Sequence, residues 1–424
     1  MNTTAATTGS ASPRAEAPAP SLRESGLVPL LATLAFAAVA LFLFWTALQG
    51  VFLALQVKKI DPAGAAGGLA FVVAIGAIGA LIAAPVAGAL SDRTRSRLGG
   101  RAPWMLVGAV ATMVLAVLLA HSTSLGELAA WWLLIQVSSN LIFTPIMVHI
   151  PERVPVARRG VFSAAVGVSH LCGVFLGQAA GAAFAQRLVL GYVAVSVLLV
   201  IAVVAFVLVN RRSNLGIPKP AFNLATLLKT FWVNPVKHPA FGWTFLGRFL
   251  VLTGFFPLKV YLLYILQDYV GLGAGAVASV PMMGLAGMAG AALGTPLAGW
   301  ISDRLGVTRP LIYICSAVMV AGIAVPLVFP TFEGMLVYCF LAGAGFGGFG
   351  SVDYVLITKV LPSQEDAGKD LGLINMTTTL TQSLGVGLAG SLVSATGGYT
   401  VLFPMGIAFI VLGTVCIAFI RGVR

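Results

Sequence analysis

The dominant pattern along this chain is a series of long apolar runs separated by short polar segments. A membrane-spanning helix needs about 20 consecutive apolar residues, and twelve runs reach roughly that length. We therefore predict an all-α integral membrane protein with twelve transmembrane helices. The predicted spans are roughly 27–55, 64–90, 103–121, 127–150, 160–184, 188–210, 241–267, 273–301, 309–329, 334–358, 371–395 and 399–421.

The polar segments indicate that the chain consists of two related halves. A Ser-Asp-Arg sequence at 91–93 recurs at 302–304, an offset of 211 residues, and Pro151 and Pro362 have the same separation. Internal repeats of this length are typical of secondary transporters. We expect four regions, which are a disordered cytoplasmic tail (1–26), a six-helix half (27–210), a cytoplasmic linker (211–240) and a second six-helix half (241–424).

The distribution of charge predicts the orientation in the membrane. Only 9% of the 424 residues are charged, and the net charge is +12. Most Lys and Arg residues lie on one side of the predicted membrane; the exceptions are Lys58, Lys59 and Arg187 on the other side and Arg248 and Lys259 inside spans. Cytoplasmic loops carry such an excess of positive charge. We therefore expect a multi-pass protein of the cell (inner) membrane with both termini in the cytoplasm and no nucleic-acid partner.

Several other classes of function are not indicated. The four cysteines lie in apolar runs without metal-ligand spacing, and the sequence has no Gly-x-x-x-x-Gly-Lys nucleotide-binding loop. We therefore expect no enzymatic activity, no cofactor and no metal site. The expected partners of the monomer are the lipid bilayer, a small-molecule substrate and protons.

The charged loop and its second copy carry a family resemblance. The Gly-x-x-Ser-Asp-Arg motif at 88–93 and the two-half layout resemble the major facilitator superfamily. The longer loop at 91–97, closed by Pro103-Trp104, is similar to the sugar-cation symporter branches of that superfamily, the glycoside-pentoside-hexuronide and sucrose types. Further segments that support these branches are 151–155, 158–160, 261–264, 267–269 and 370–375.

The resemblance covers roughly Leu27 to the C-terminus and implies a fold and a mechanism. It implies two pseudo-symmetric six-helix halves around a central cavity lined by spans 1, 4, 7 and 10, and transport of a sugar or glycoside with a proton. The chain departs from these relatives in two ways. Gly100 and Ala102 interrupt the usual run of arginines before Pro-Trp, so those contacts are not transferred, and the second span lacks the acids of the sodium-coupled relatives.

Polar side chains at helical spacing are the first candidates for substrate binding. Amide groups recur on one face of the first, fourth and eleventh spans together with aromatic, hydroxyl or thioether groups, a combination that suits the hydroxyls and C–H faces of a sugar. The alternative is hydrogen bonding between helices. Lys259 and Tyr354 are added to these polar residues. The candidate substrate-binding residues are therefore Trp45, Gln49, Gln56, Gln136, Asn140, Lys259, Tyr354, Asn375 and Gln382.

Three charged residues inside spans are candidates for ion coupling or substrate contact. Asp353 in the tenth span and Arg248 in the seventh are predicted either to couple transport to protons or to form a structural ion pair. Lys259 has no evident acidic partner unless Asp268 or a substrate anion serves. His149 and His170 are weaker candidates for a proton relay.

A third group of charged residues lies beside the predicted cytoplasmic loops. Such residues can bind helix termini or each other in one conformation and separate in the other. We expect them to form a latch between conformational states and not a substrate site. The candidate latch residues are Asp92, Arg93, Arg97, Glu152, Arg159, Asp303 and Arg304.

The sequence therefore favours a secondary active transporter that works by alternating access, a proton-coupled sugar or glycoside symporter. One alternative is an exporter of drugs or secondary metabolites. The other is a membrane sensor or assembly factor that keeps the fold without transport.

Overall fold

The computed structural model describes residues 27–211, Leu215, 238–360, Ile374 and 376–420. Long helices, numbered α1 to α12 in chain order, account for most of these residues. They are α1 Val28–Ile60, α2 Ala65–Arg93, α3 Ala102–Ala120, α4 Leu125–Arg153, α5 Arg159–Ala183, α6 Leu188–Asn210, α7 Pro239–Val260, α8 Ala276–Leu305, α9 Arg309–Val328, α10 Phe332–Val360, α11 376–396 and α12 Leu402–Ala418. We call α1–α6 the N-half and α7–α12 the C-half.

The predicted all-α membrane fold is confirmed. Within the described residues, eleven helices are long and apolar enough to cross a membrane, and 376–396 is helical where the eleventh span was expected. The helix ends differ from the prediction at both Ser-Asp-Arg sequences, because α2 and α8 continue through them. Helix α8 stops only at Gly306, which has a positive φ of 64°, a conformation that glycine adopts without steric cost.

Helices α1 and α7 are irregular at equivalent positions of the repeat. Helix α1 contains a π-helical turn over Leu48–Phe52. Helix α7 has Pro257 in its last turn and is interrupted at Tyr261 before a short helix, Leu262–Tyr264, and a π-helical turn, Ile265–Tyr269. Pro257 has no N–H to donate to Thr253, so it weakens the turn that precedes it, whereas the interruption at Tyr261 follows one turn later. Irregular turns in transmembrane helices often lie at functional positions.

Packing within each half follows the repeat. In the N-half, α2 packs on α4 and α1 on α6; in the C-half, the equivalent helices pair in the same way, α8 on α10 and α7 on α12. Glycines permit several close approaches between these helices. A Cβ atom at Gly254 of α7 would lie 2.5 Å from the carbonyl oxygen of Gly406 in α12, so neither helix tolerates a side chain at this crossing.

Most of the observed hydrogen bonds between the halves lie toward one end of the bundle, which we call the Lys58 end. The opposite end carries the α2–α3 loop with Arg95, Arg97 and Arg101, and we call it the arginine end. Tyr264 donates its hydroxyl to the carbonyl oxygen of Ala54 at 2.6 Å, and Tyr261 donates to that of Ala66 at 2.9 Å. These bonds join α1 and α2 to the segment that follows α7.

Candidate functional site

The N-half presents an aromatic cluster that contains the predicted residue Trp45. The indole nitrogen of Trp45 in α1 donates to the hydroxyl of Ser139 in α4 at 3.0 Å. The Trp45 ring lies 5.4 Å from Phe143, and the Phe42 ring lies 4.5 Å from that of His170 in α5. We call Phe42, Trp45, Phe143 and His170 the N-half aromatic cluster. It joins α1, α4 and α5 at mid-height of the bundle.

The predicted amides of the N-half fall into two groups. Gln49 is half-buried and makes no observed hydrogen bond to the described residues, while the side-chain oxygen of Gln136 is buried without a partner among them. Asn140 donates only to the Gln136 carbonyl of its own helix, at 2.8 Å. These three amides therefore keep some hydrogen-bonding capacity for a solute.

Gln56 differs from the other predicted amides because protein groups occupy its side chain. Its nitrogen donates to the carbonyl oxygen of Leu119 in α3 at 2.7 Å, and its oxygen accepts from the hydroxyl of Tyr192 in α6 at 2.8 Å. Buried polar groups that are paired in this way hold helices together in a membrane. The contacts match the interhelical alternative, and Gln56 is not part of the site that we propose.

The C-half contributes a lysine beside a second aromatic cluster. Lys259 of α7 is solvent-exposed yet lies deep among protein atoms, which together describe a position inside an open cavity. Its ammonium nitrogen lies 5.3 Å from the centre of the Phe255 ring, within range of a cation–π interaction. Phe255 stacks on Phe346 of α10 at 4.2 Å, and Phe256 meets the same ring edge-on. We call Phe255, Phe256 and Phe346 the C-half aromatic cluster.

The two charged candidates for coupling form an ion pair within the C-half. A guanidinium nitrogen of Arg248 in α7 contacts one carboxylate oxygen of Asp353 in α10, whose side chain is 1% exposed. Arg248 also donates through Nε to the hydroxyl of Thr377 in α11 at 3.1 Å. The other carboxylate oxygen of Asp353 is buried without a partner among the described residues. The pair therefore ties α7, α10 and α11 together and leaves one acceptor unused.

The structure gives less support to the remaining predicted substrate-binding residues of the C-half. Tyr354 is 60% exposed, although its neighbour in sequence, Asp353, is buried. Gln382 is half-buried in a π-helical turn of α11, Thr381–Gly385. Asn375 lies outside the described residues.

The arginine end contains an ion pair that involves one predicted latch residue. Arg101, at the start of α3, holds both carboxylate oxygens of Glu152 near the end of α4, with one N–O distance of 2.6 Å. From the sequence, Arg93 and Arg97 are the arginines expected to reach helix-terminal carbonyl groups or an acid such as Glu152, whereas Arg101 is not among the candidates. Both members of this pair belong to the N-half.

The other latch candidates bind helix ends or stay exposed. Arg159 donates to the carbonyl oxygen of Val154 at 3.1 Å, and Arg304 lies over the Trp300 ring at 5.0 Å. The side chains of Arg93, Arg97 and Asp303 are exposed, and the side chain of Asp92 lies outside what the structure describes. An interaction between the halves at the arginine end stays a prediction for these residues.

Sequence reasoning missed a group of residues at the Lys58 end. The ammonium of Lys58 in α1 lies 2.9 Å from a carboxylate oxygen of Asp268 and 2.9 Å from the side-chain oxygen of Gln267. It also lies 5.5 Å from the centre of the Tyr264 ring. With Tyr261, these residues form what we call the outer clasp: Lys58, Tyr261, Tyr264, Gln267 and Asp268. The sequence offered two signals, which are the segments 261–264 and 267–269 with their family resemblance and Asp268 as a possible partner of Lys259, and neither pointed to Lys58.

Comparison with known proteins identifies the family. The family model of the Major Facilitator Superfamily matches residues 30–365 and 293–424. The chain belongs to the Major Facilitator Superfamily. No curated protein sequence matches it.

Several solved transporter structures share the fold of this superfamily member. The nucleoside transporter NupG superposes with a TM-score of 0.74 at 13% identity, over 93% of this chain and all of NupG. A peptide transporter of the POT family, in complex with sulfate, gives 0.71 at 16% identity over 92% and 94% of the two chains. A bacterial homologue of the human lysosomal transporter Spinster, in an inward-facing and unoccupied conformation, gives 0.64 at 14% identity over 92% and 94%. At these identities the likeness shows the fold, and membership of the superfamily supports secondary transport.

Proposed function

We propose that this member of the superfamily moves a small solute across the cell membrane by alternating access. The observation that carries the proposal is the combination of two features. Polar and aromatic side chains, with the exposed Lys259, line the interior between the halves, and the outer clasp joins the halves at one end. A carrier needs a binding site between two halves that can close on one side at a time. The outer clasp supplies such a closure, because its contacts join α1 and α2 to the segment that follows α7 and would separate if the halves rocked apart.

We infer that the arginine end faces the cytoplasm. The α2–α3 loop carries Arg95, Arg97 and Arg101 within seven residues, whereas the outer clasp contributes a single lysine. Because cytoplasmic loops are enriched in Lys and Arg, the clasp lies outside. The structure then represents a state that is closed to the outside, with Lys259 accessible from the cytoplasm.

We propose a sugar or glycoside, moved with a proton, as the cargo to test first. The resemblance to sugar-cation symporters supports this choice, as do the free amide groups of Gln49 and Gln136 beside Trp45. Aromatic rings pack against the C–H face of a sugar while amides bond its hydroxyls. An exporter of drugs or secondary metabolites is the second candidate, because the two aromatic clusters would also accommodate a lipophilic body.

Counterflow in proteoliposomes tests the proposal. Vesicles containing the purified protein are preloaded with one unlabelled compound, and uptake of its labelled form is followed. Sugars and glycosides form one panel and amphiphilic drugs the other. We expect exchange of at least one compound and none in protein-free vesicles. If neither panel is exchanged although the protein is folded, the sensor or assembly role gains support and transport of these cargo classes is contradicted.

A further inference from the structure

Lys259 is a cationic side chain inside the bundle with the properties of a solute-binding group. It is exposed to the interior of the bundle, and its ammonium lies beside Phe255 of the C-half aromatic cluster. Because the two halves of such a carrier face each other across this interior, a molecule bound at Lys259 can also contact the N-half. An ionised side chain at this depth of a membrane protein is costly unless it meets water or an opposite charge.

Among the described residues, the two acids that could neutralise Lys259 are engaged elsewhere. Asp268, the partner that the sequence left open, holds Lys58 at 2.9 Å. Asp353 is buried against Arg248. No acidic group among the described residues forms an ion pair with Lys259. The nearby aromatic ring of Phe255 stabilises the ammonium only in part, because a cation–π contact is much weaker than an ion pair at this depth.

The surroundings of Lys259 also define what else a bound molecule would touch. Phe255 lies against its ammonium, with Phe346 stacked behind. On the N-half side, His170 belongs to the same cluster as Phe42 and Trp45. An anionic group at Lys259 would thus have aromatic rings of both halves within reach of its apolar part.

We propose that the cargo is an organic anion whose carboxylate or phosphate group binds Lys259 and whose apolar or sugar body lies between the two aromatic clusters. The inference rests on the proposed transport function and adds the charge of the cargo. An anion compensates the lysine in the bound state, so binding removes the cost of the isolated charge. A neutral sugar leaves that charge uncompensated, so we expect it to bind more weakly than its acidic counterpart.

The test compares matched acidic and neutral compounds. The pairs are phenyl β-D-glucuronide with phenyl β-D-glucoside, benzoate with benzamide, and glucose 6-phosphate with glucose. The pairs separate carboxylates from phosphates and sugars from simple aryl compounds. Binding is measured by thermal stabilisation of the purified full-length protein. We expect at least one acid to stabilise the wild type at concentrations about tenfold or more below those its neutral partner requires.

Three variants assign the effect to the position of the lysine. Lys259→Gln should weaken binding of the preferred acid by roughly tenfold to a hundredfold, the usual effect of losing a hydrogen bond to a charged group. Lys259→Arg retains the charge and should retain the preference for the acid. Lys59→Gln makes the same change at an exposed lysine on the Lys58 end and should leave binding unchanged. The melting temperature without ligand shows whether each variant is folded.

The proposal and the transport function fail in different ways. If no acid binds better than its neutral partner, or if Lys259→Gln keeps the preference, the anionic cargo is ruled out. Counterflow of a neutral compound by both the wild type and Lys259→Gln would also overturn it while transport itself stands. Transport fails separately, when an acid binds in a Lys259-dependent manner but no preloaded vesicle exchanges it.

Discussion

At the scale of single residues, the amides of α1 illustrate how similar sequence signals acquire different roles. Gln49 and Gln56 belong to the same predicted stripe, seven residues apart. Gln56 bonds α3 and α6, whereas Gln49 makes no observed hydrogen bond to the described residues. Helical periodicity gives the face of a helix but not the neighbour of each side chain, so the sequence alone could not separate these roles.

Replacing each glutamine by leucine distinguishes packing from solute contact. Gln56→Leu leaves the Leu119 carbonyl and the Tyr192 hydroxyl without partners, so we expect a loss of about 1–3 kcal/mol in stability. Gln49→Leu should leave the melting temperature nearly unchanged and raise the KM for the cargo. Thermal unfolding and uptake kinetics on both variants provide the check. A higher KM without destabilisation for Gln56→Leu would return this residue to the binding site.

The ion pair of Arg248 and Asp353 makes a different prediction for each partner. Arg248→Gln leaves a carboxylate that is 1% exposed without its counter-ion, a change that typically costs about 3–5 kcal/mol. Asp353→Asn removes the buried charge itself and leaves an arginine that is partly exposed and still bonded to Thr377. We therefore expect Arg248→Gln to lower the melting temperature more than Asp353→Asn does. Equal destabilisation would contradict this account of the pair.

Asp353 is also the proposed coupling residue, and its variant separates coupling from exchange. If the unpartnered carboxylate oxygen binds the coupled proton, Asp353→Asn should abolish accumulation driven by a pH gradient and retain counterflow. Uptake into proteoliposomes with and without an imposed gradient measures both activities. Accumulation by the Asn variant under the gradient would leave Asp353 with its structural role alone.

At the scale of helices, the positions of the spans could be predicted from the sequence, but the irregular turns within them could not. The length of a bilayer-crossing helix constrains each apolar run, and the runs therefore gave α1–α10 and α12 within a few residues. The π-helical turns of α1 and α11 carry no comparable signal. Neither does the outer clasp, since the partners Lys58 and Asp268 are 210 residues apart and meet only after both halves have folded.

The outer clasp combines several weak contacts, a property that suits a closure that must open in each cycle. The side chains of Lys58 and Asp268 are 33% and 45% exposed, and exposed ion pairs contribute roughly 0–1 kcal/mol. Each tyrosine hydrogen bond adds about 1 kcal/mol. The sum is small compared with the stability of a folded protein, so the conformational equilibrium can respond to the cargo.

Exchanging the charges of the clasp tests this interpretation. Lys58→Asp places two acids opposite each other and should shift the population toward separation at the Lys58 end. The double variant Lys58→Asp with Asp268→Lys should restore closure. Spin labels at Lys59 and Ala274, which belong to different halves, would report the change as a longer distance in the single variant only. An unchanged distance in the single variant would show that the ion pair does not contribute to closure.

At the scale of the whole molecule, orientation decides which step of the cycle the structure represents. With the arginine end in the cytoplasm, the closed outer clasp makes this a state that receives or releases cargo inside. The opposite orientation would turn the same contacts into a cytoplasmic gate. The positive residues of the α2–α3 loop favour the first orientation, because moving them across the membrane during insertion is unfavourable.

Reporter fusions determine the orientation directly. A reporter that is active only outside the cytoplasm, fused after Arg424, should give no signal, since an even number of spans returns the chain to the side of its tail. The same reporter inserted in the α1–α2 connection near Pro62, beside Lys58, should be active. The two positions serve as controls for each other. If the protein is not expressed, neither fusion gives a signal, whereas an inserted protein gives a signal at only one of the two positions. Activity at Arg424 with silence at Pro62 would invert the orientation and make the outer clasp an inner one.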